Sequence, residues 1–157
     1  LPLRERMDFQ VIHLTGHRNY DLVKEEYRRM RLRACVLPFL EDMASAYSVS
    51  DMAVSRAGAV SVTELSLFGL PAVLIPYPYA GGHQKENARI LVNRGLGIMI
   101  DDGGVSPEVL IASVEKIKAA GRERGMRGPE SGYEASRRLA DEILKLTAQR
   151  DVCEKRG

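Results

Sequence analysis

Between Ser55 and Asn87 the chain carries, in order, a small-residue turn, a hydroxyl, a carboxylate and a cluster of imidazole and amide side chains. Ala57-Gly58-Ala59 lets the backbone reverse with little side-chain bulk, and the residues after it read as a helix start. There the backbone N–H groups of Ala59, Val60 and Ser61 have no intrahelical partner and can point at an anion, so a phosphate fits. The helix dipole contributes about 0.3 to 2 kcal/mol and each hydrogen bond to a charged group about 1.5 to 3 kcal/mol. Several N–H contacts acting together can therefore anchor a diphosphate where one could not. One turn further in, the Glu64 carboxylate can accept two hydrogen bonds, which suits the vicinal diol of a ribose.

The same residues have a plainer reading. Ser61-Val62-Thr63-Glu64 has the S-x-x-E spacing of a capping box, in which Ser61 caps the helix and Ser61 and Glu64 satisfy each other's backbone donors without a ligand. Spacing alone leaves both readings open. A second helix start lies further along: Pro76-Tyr77-Pro78-Tyr79 keeps the chain extended, Ala80-Gly81-Gly82 permits close backbone approach, and His83-Gln84 open a helix running through Asn87, Ile90 and Leu91. His83, Gln84 and Asn87 offer the mixed donors and acceptors that sugar hydroxyls need, although a solvated helix start would have similar composition.

The elements that must position these groups alternate. Strands are expected at Phe9 to Leu14, Ala34 to Leu37, Met52 to Ser55, Ala72 to Ile75 and Gly97 to Ile100. Helices are expected over Asp21 to about Arg31, Glu41 to Tyr47, from Ser61 to a stop at Gly69, from His83 onward, near Pro107 to Ala120 and over Ser131 to Leu146. Leu1 to Arg6 reads as the trailing end of a helix. Alternating β and α predicts an α/β fold, a parallel sheet with helices on both faces. In such sheets ligands sit outside the carboxyl ends of the strands, where both polar clusters fall. At 157 residues, 45% hydrophobic and 28% charged, the chain can bury one ordinary core, which predicts a single domain.

SRAGAVSVTELSLFGLPAVLIPYPYAGGHQKENA, from Ser55 to Ala88, resembles the donor-binding region of the MurG family, the N-acetylglucosaminyltransferases that convert lipid I to lipid II in peptidoglycan synthesis. Phe9 to Gly16 (FQVIHLTG), Val36 to Tyr47 (VLPFLEDMASAY) and Gly95 to Ile100 (GLGIMI) fall in the family's order and spacing, so the resemblance covers most of the chain. It implies a Rossmann-like domain, the C-terminal half of a GT-B glycosyltransferase, and inverting transfer from UDP-N-acetylglucosamine with neither cofactor nor metal. Residue by residue, Leu40 matches the position whose main chain pairs with the uracil edge, and Met43 the one packed near the base. Ala59, Val60 and Ser61 match the helix start that holds the diphosphate, and Glu64 the carboxylate on the ribose hydroxyls. His83 and Gln84 match the pair facing the N-acetylglucosamine hydroxyls, with Asn87 a polar neighbour on the same helix.

Departures from the family pattern are equally specific. Many relatives carry an acidic residue before the His-Gln pair, where this chain has Gly81-Gly82, and no Gly-Gly-Ser loop is present. The resemblance therefore implies a partial donor domain over residues 1–157, without the acceptor-binding N-terminal domain and its catalytic base. No catalytic residue is expected here, and the chain by itself is expected to be inactive. In a doubly wound sheet of order 3-2-1-4-5-6 the missing first strand is the central one. Its neighbours are then expected to pair directly, to leave a cleft or to recruit another chain. The acceptor, lipid I, would be bound through the missing domain, at the cytoplasmic side of the bacterial plasma membrane with peripheral attachment. A related GT-B transferase for another sugar or acceptor, or a non-catalytic nucleotide-sugar-binding module, is the alternative.

Other chemistries find little support. Cys35 and Cys153 have no C-x-x-C spacing, which disfavours zinc and suits a reducing compartment. His13 and His17 straddle the expected strand end at Thr15-Gly16, and Asp101-Asp102 fall in a turn rather than in an Asp-x-Asp motif. Net charge is +2; Lys24, Arg28, Arg29, Arg31 and Arg33 are partly offset by Glu25 and Glu26 and read as a solvated helix face. Aromatic residues do not interleave with these bases, so nucleic acid is not an expected partner. Neither a secretory leader nor a membrane-spanning run is expected.

Overall fold

The computed structural model describes residues 9–79 and 81–123; Leu1 to Arg6, the helix expected over Ser131 to Leu146, and Cys153 lie outside them. Two compact units cluster separately, Leu1–Ala46 and Tyr47–Gly157.

In the first unit β1 (Val11–Leu14) pairs in parallel with β2 (Ala34–Leu37), in a register running from Val11 opposite Ala34 to Leu14 opposite Leu37. A 3-10 turn at His17–Asn19 leads into α1 (Tyr20–Arg29), the crossover that parallel pairing requires. Tyr27 on α1 lies edge-on to His13, with its hydroxyl 3.1 Å from the imidazole Nδ1. Across the outer face, Arg28 pairs with Glu25 and Arg29 with Glu26 at 2.8 and 2.7 Å. Water screens these exposed pairs and they add little to stability; of the basic run Lys24, Arg28 and Arg29 lie on this helix, whereas Arg31 and Arg33 come after its end.

The short helix α2 (Met43–Ser48) spans the boundary between the units. It begins two residues later than expected because Asp42 caps it: the Ser45 backbone N–H donates to Asp42 Oδ1 at 3.1 Å.

The second unit is built of β3 (Ala53–Ser55), α3 (Ala59–Leu67), β4 (Ala72–Leu74), α4 (His83–Asn93), β5 (Gly97–Met99) and α5 (Pro107–Glu123). Its parallel sheet has the order β3-β4-β5, with Ala53 opposite Ala72 and Ala72 opposite Gly97. The central strand is buried on both faces, and its period-2 alternation divides the core. Ala72 and Leu74 pack with Val62 and Leu65 of α3 and with Ala88 and Leu91 of α4, whereas Val73 turns to the opposite face with Ile117 of α5. Helices thus cover both faces of this sheet, and burying Leu65, Leu74 and Leu91 completely contributes about 1.5 to 3 kcal/mol each.

Among the described residues the strands form two ladders, β1-β2 in the first unit and β3-β4-β5 in the second. Strand ends fall one or two residues inside the expected ones: Phe9 and Gln10 precede β1, Met52 precedes β3, and Ile75 and Ile100 come after β4 and β5.

Candidate functional site

The start of α3 is set by Gly58, not by Ser61. Gly58 is the N-cap, with the extended backbone of φ −62° and ψ 149°, and no side chain caps the helix. The first intrahelical bond runs from the Val62 N–H to the Gly58 carbonyl at 3.0 Å, which leaves Ala59, Val60 and Ser61 as the first three helical residues with their N–H groups unclaimed by the helix. The capping-box reading of Ser61 and Glu64 is therefore corrected. Ser61 lies three positions past the cap, and Glu64 is in the helix interior, facing another partner.

That partner is Tyr47, whose hydroxyl donates to Glu64 Oε2 at 3.0 Å. Both side chains are half-buried, and Tyr47 packs its ring on Phe68 at 5.4 Å. Burial first, then the hydrogen bond to the carboxylate and its charge, push the Tyr47 phenol well above the ordinary tyrosine range. The phenol stays protonated as a fixed donor, and the second Glu64 oxygen is left for another group.

The start of α4 lies beside that of α3. Gly82, at φ 82°, is in the left-handed region that glycine enters freely, and it leads into His83 as the first helical residue, its side chain exposed. Gln84 and Asn87 turn inward. Gln84 Oε1 accepts the backbone N–H groups of Ala57 at 3.2 Å and Tyr77 at 2.9 Å, while Asn87 Nδ2 donates to the Ala57 carbonyl at 3.1 Å. Ala57 is fully buried, so these two amides satisfy main-chain groups that water does not reach.

Arg56 secures the neighbouring turn. Its guanidinium donates to the Ile75 carbonyl at 3.2 Å, pairs with Asp102 and lies 5.7 Å from the centre of the Tyr77 ring. With Val54, Ser55, Ile75 and Val105 it lines an open cavity of about 280 Å³ at the carboxyl ends of β3 and β4.

Seven of the nine residues picked out by sequence, Ala59, Val60, Ser61, Glu64, His83, Gln84 and Asn87, belong to the second unit, on the first two turns of α3 and α4. Leu40 and Met43 belong to the first, in the segment after β2 and at the first position of α2, both half-buried. Sequence reasoning missed Tyr47, Arg56 and the backbone of Ala57. Among the described residues, no three His, Cys, Asp or Glu side chains are grouped so as to hold a metal ion, and no helix is long and apolar enough to cross a membrane.

Residues 1–143 match the glycosyltransferase family 28 C-terminal domain. The chain belongs to that family. Family 28 relatives with curated descriptions include a UDP-N-acetylglucosamine–N-acetylmuramyl-(pentapeptide) pyrophosphoryl-undecaprenol N-acetylglucosamine transferase from Thermodesulfovibrio yellowstonii, 49% identical over 118 residues, which are 74% of this chain and 32% of that protein. A protein of the same description from Anaeromyxobacter is 35% identical over 153 residues, 94% of this chain and 39% of that protein. The chain thus spans about a third of the length of the curated relatives it matches. Among solved structures, MurG of Acinetobacter baumannii superposes with a TM-score of 0.63 at 28% identity, over 90% of this chain and 45% of that one. The glycotransferase of kitacinnamycin, at TM-score 0.53 and 21% identity over 87% of this chain and 42% of that one, shares the fold. Parallel sheet, crossover helices and family membership agree on the α/β, GT-B type of domain expected from sequence.

Proposed function

We propose that this family 28 domain binds UDP-N-acetylglucosamine as the donor half of a transferase that converts lipid I to lipid II. The observation that carries the reading is the bare N-terminus of α3. Three consecutive N–H groups stand open behind a glycine cap, with the Glu64 carboxylate one turn further along. A diphosphate on the N–H groups of Ala59, Val60 and Ser61 would meet a ready-made anion site, and the free Glu64 oxygen would take the ribose hydroxyls. His83, exposed at the start of α4, and the outward amide of Gln84 are proposed to meet the sugar. Leu40 and Met43 are proposed for the uracil.

The proposed chemistry is a single inverting displacement. An acceptor hydroxyl oxygen forms a bond to the anomeric carbon as the bond from that carbon to the β-phosphate oxygen breaks, and the electron pair leaves with UDP. Donors already aimed at the departing diphosphate stabilise its developing charge without reorganising, the largest kind of contribution a protein makes to such a step. The hydroxyl proton is proposed to pass to a base outside residues 1–157, where the lipid I site is also placed, and no metal or cofactor is assigned a role. Attachment is proposed to be peripheral, at the cytoplasmic side of the plasma membrane.

Calorimetric titration with UDP-N-acetylglucosamine, UDP-galactose and UDP tests the donor reading. Binding of UDP, with UDP-N-acetylglucosamine preferred over UDP-galactose, is expected. An absence of UDP binding at millimolar ligand would remove it.

A further inference from the structure

Ala57 ties two amide side chains of α4 to the turn that launches α3. Its N–H donates to Gln84 Oε1 and its carbonyl accepts from Asn87 Nδ2, so both polar groups of one fully buried backbone unit are held by side chains three residues apart. The spacing is what a helix needs to present two groups on one face. Gln84 Oε1 also accepts the Tyr77 N–H, so the first turn of α4 fixes the chain leaving β3 and the chain leaving β4 together. Ala57 leads directly into Gly58, the N-cap, and the three open N–H groups. Displacing Ala57 displaces the whole set.

The bonding also fixes which end of each amide is which. Gln84 must turn its carbonyl oxygen inward to accept two N–H groups, and Asn87 must turn its NH2 inward to reach a carbonyl. The inward atoms are thereby committed to backbone before any ligand arrives.

We infer that Gln84 and Asn87 are positioning residues for the diphosphate, their inward atoms acting through the backbone of Ala57 to hold the N-terminus of α3 in place, whatever their outward atoms offer a sugar. The inference rests on the donor reading above and gives Gln84 and Asn87 a role beside any contact with the sugar. Its consequence is a pattern of affinities. A residue that grips the sugar affects UDP-N-acetylglucosamine more than UDP. One that sets the phosphate-binding turn weakens both alike and spares uridine.

The test uses the 157-residue chain with Gln84→Met, which removes the acceptor at similar volume, Asn87→Leu, which removes the donor, and Gln84→Glu, which keeps an oxygen facing the two N–H groups. Affinities for uridine, UDP and UDP-N-acetylglucosamine are measured by NMR titration, and exchange of the Ala57 amide hydrogen is tracked without ligand. In Gln84→Met and Asn87→Leu, affinity for UDP and for UDP-N-acetylglucosamine is expected to fall together by roughly tenfold, as loss of a buried backbone partner implies, with uridine unchanged. The Ala57 amide is expected to exchange faster in Gln84→Met and to stay protected in Gln84→Glu, a rescue that general damage to the fold would not give. Loss of UDP-N-acetylglucosamine affinity with UDP affinity intact would overturn the inference, as would an Ala57 amide equally protected in Gln84→Met and the unaltered chain. If the unaltered chain binds no UDP, the donor reading fails, and the exchange measurement still decides whether the clasp on Ala57 exists.

Discussion

The Tyr47 hydroxyl donates to Glu64 Oε2 at 3.0 Å, joining the end of α2 to the middle of α3 across 17 residues of sequence. A carboxylate with one oxygen held by a fixed donor has its remaining lone pairs aimed, and a ribose diol is a ligand for which aim matters. Tyr47→Phe keeps the ring on Phe68 and removes only the hydroxyl. Affinity for UDP is expected to fall about three- to tenfold while affinity for 2′-deoxy-UDP changes little, since the lost hydrogen bond, itself worth about 1.5 to 3 kcal/mol, reaches the ligand only through the aim of Glu64. Titration of the two nucleotides against both proteins checks this, and an equal loss for both would separate Tyr47 from the ribose.

The same pair predicts an alkaline dependence of stability. A phenol near pH 10 in the unfolded chain is raised on folding by burial, by its hydrogen bond to Glu64 and by that charge. A group raised on folding contributes its full stabilisation below the unfolded value and loses it as pH climbs toward the folded one. The stability difference between the unaltered chain and Tyr47→Phe is therefore expected to be constant up to about pH 10 and to shrink above it. Urea unfolding at intervals from about pH 8 to about pH 11.5, a range that brackets the ordinary phenol value, gives the measurement. A difference that grows at the alkaline end would contradict the assigned donor.

How legible these contacts are in the sequence depends on how local they are. Val62 and Leu65 at helical spacing before Gly69 place α3, and the all-apolar run Ala72 to Leu74 places a strand covered on both faces; each pattern lies within one element. The cap of α3 is harder to place because Gly58 and Ser61 are both good N-cap types, and local spacing does not say where the backbone turns from extended to helical. Tertiary partners decide it: with Glu64 claimed by Tyr47, the reciprocal bond of a capping box is not formed. Tyr47 to Glu64, Gln84 to Ala57 and Asn87 to Ala57 join residues 17, 27 and 30 positions apart, and no local period records such distances. The resemblance could name Gln84 and Asn87 as polar and important, but only the packing of α4 on the β3 turn shows that they bond to backbone.

Gly97 marks a second place where the fold constrains one residue type. A Cβ built there would lie 3.0 Å from the Val92 backbone nitrogen and 3.1 Å from both the carbonyl carbon and the Cβ of Leu91, where the end of α4 crosses the start of β5. These neighbours are mostly helix backbone and cannot rotate away. Gly97→Ala is expected to destabilise the domain by about 1 to 3 kcal/mol, the usual cost of overpacking, in spite of the entropy an alanine would save in the unfolded chain. Thermal melts compare it with Gly104→Ala, whose Cβ would have nothing within 4 Å; equal melting temperatures would refute the close approach.

Gly58 allows stability and binding to be set against each other. Its extended backbone suits any residue, and a Cβ there would meet only Ser61 Oγ at 3.9 Å, so neither conformation nor space demands glycine. What glycine provides is the lack of a side chain in front of three open N–H groups. Gly58→Asp would supply the cap that α3 lacks, and its carboxylate would sit at the positive end of the helix dipole. A gain of a few tenths to about 1 kcal/mol is expected in urea unfolding. The same carboxylate would occupy and charge the space proposed for the diphosphate, so UDP affinity is expected to fall by at least tenfold while affinity for uridine holds. A variant both more stable and unchanged in UDP affinity would move the diphosphate away from α3. A variant less stable than the unaltered chain would instead show that Gly58 is not where the helix is capped.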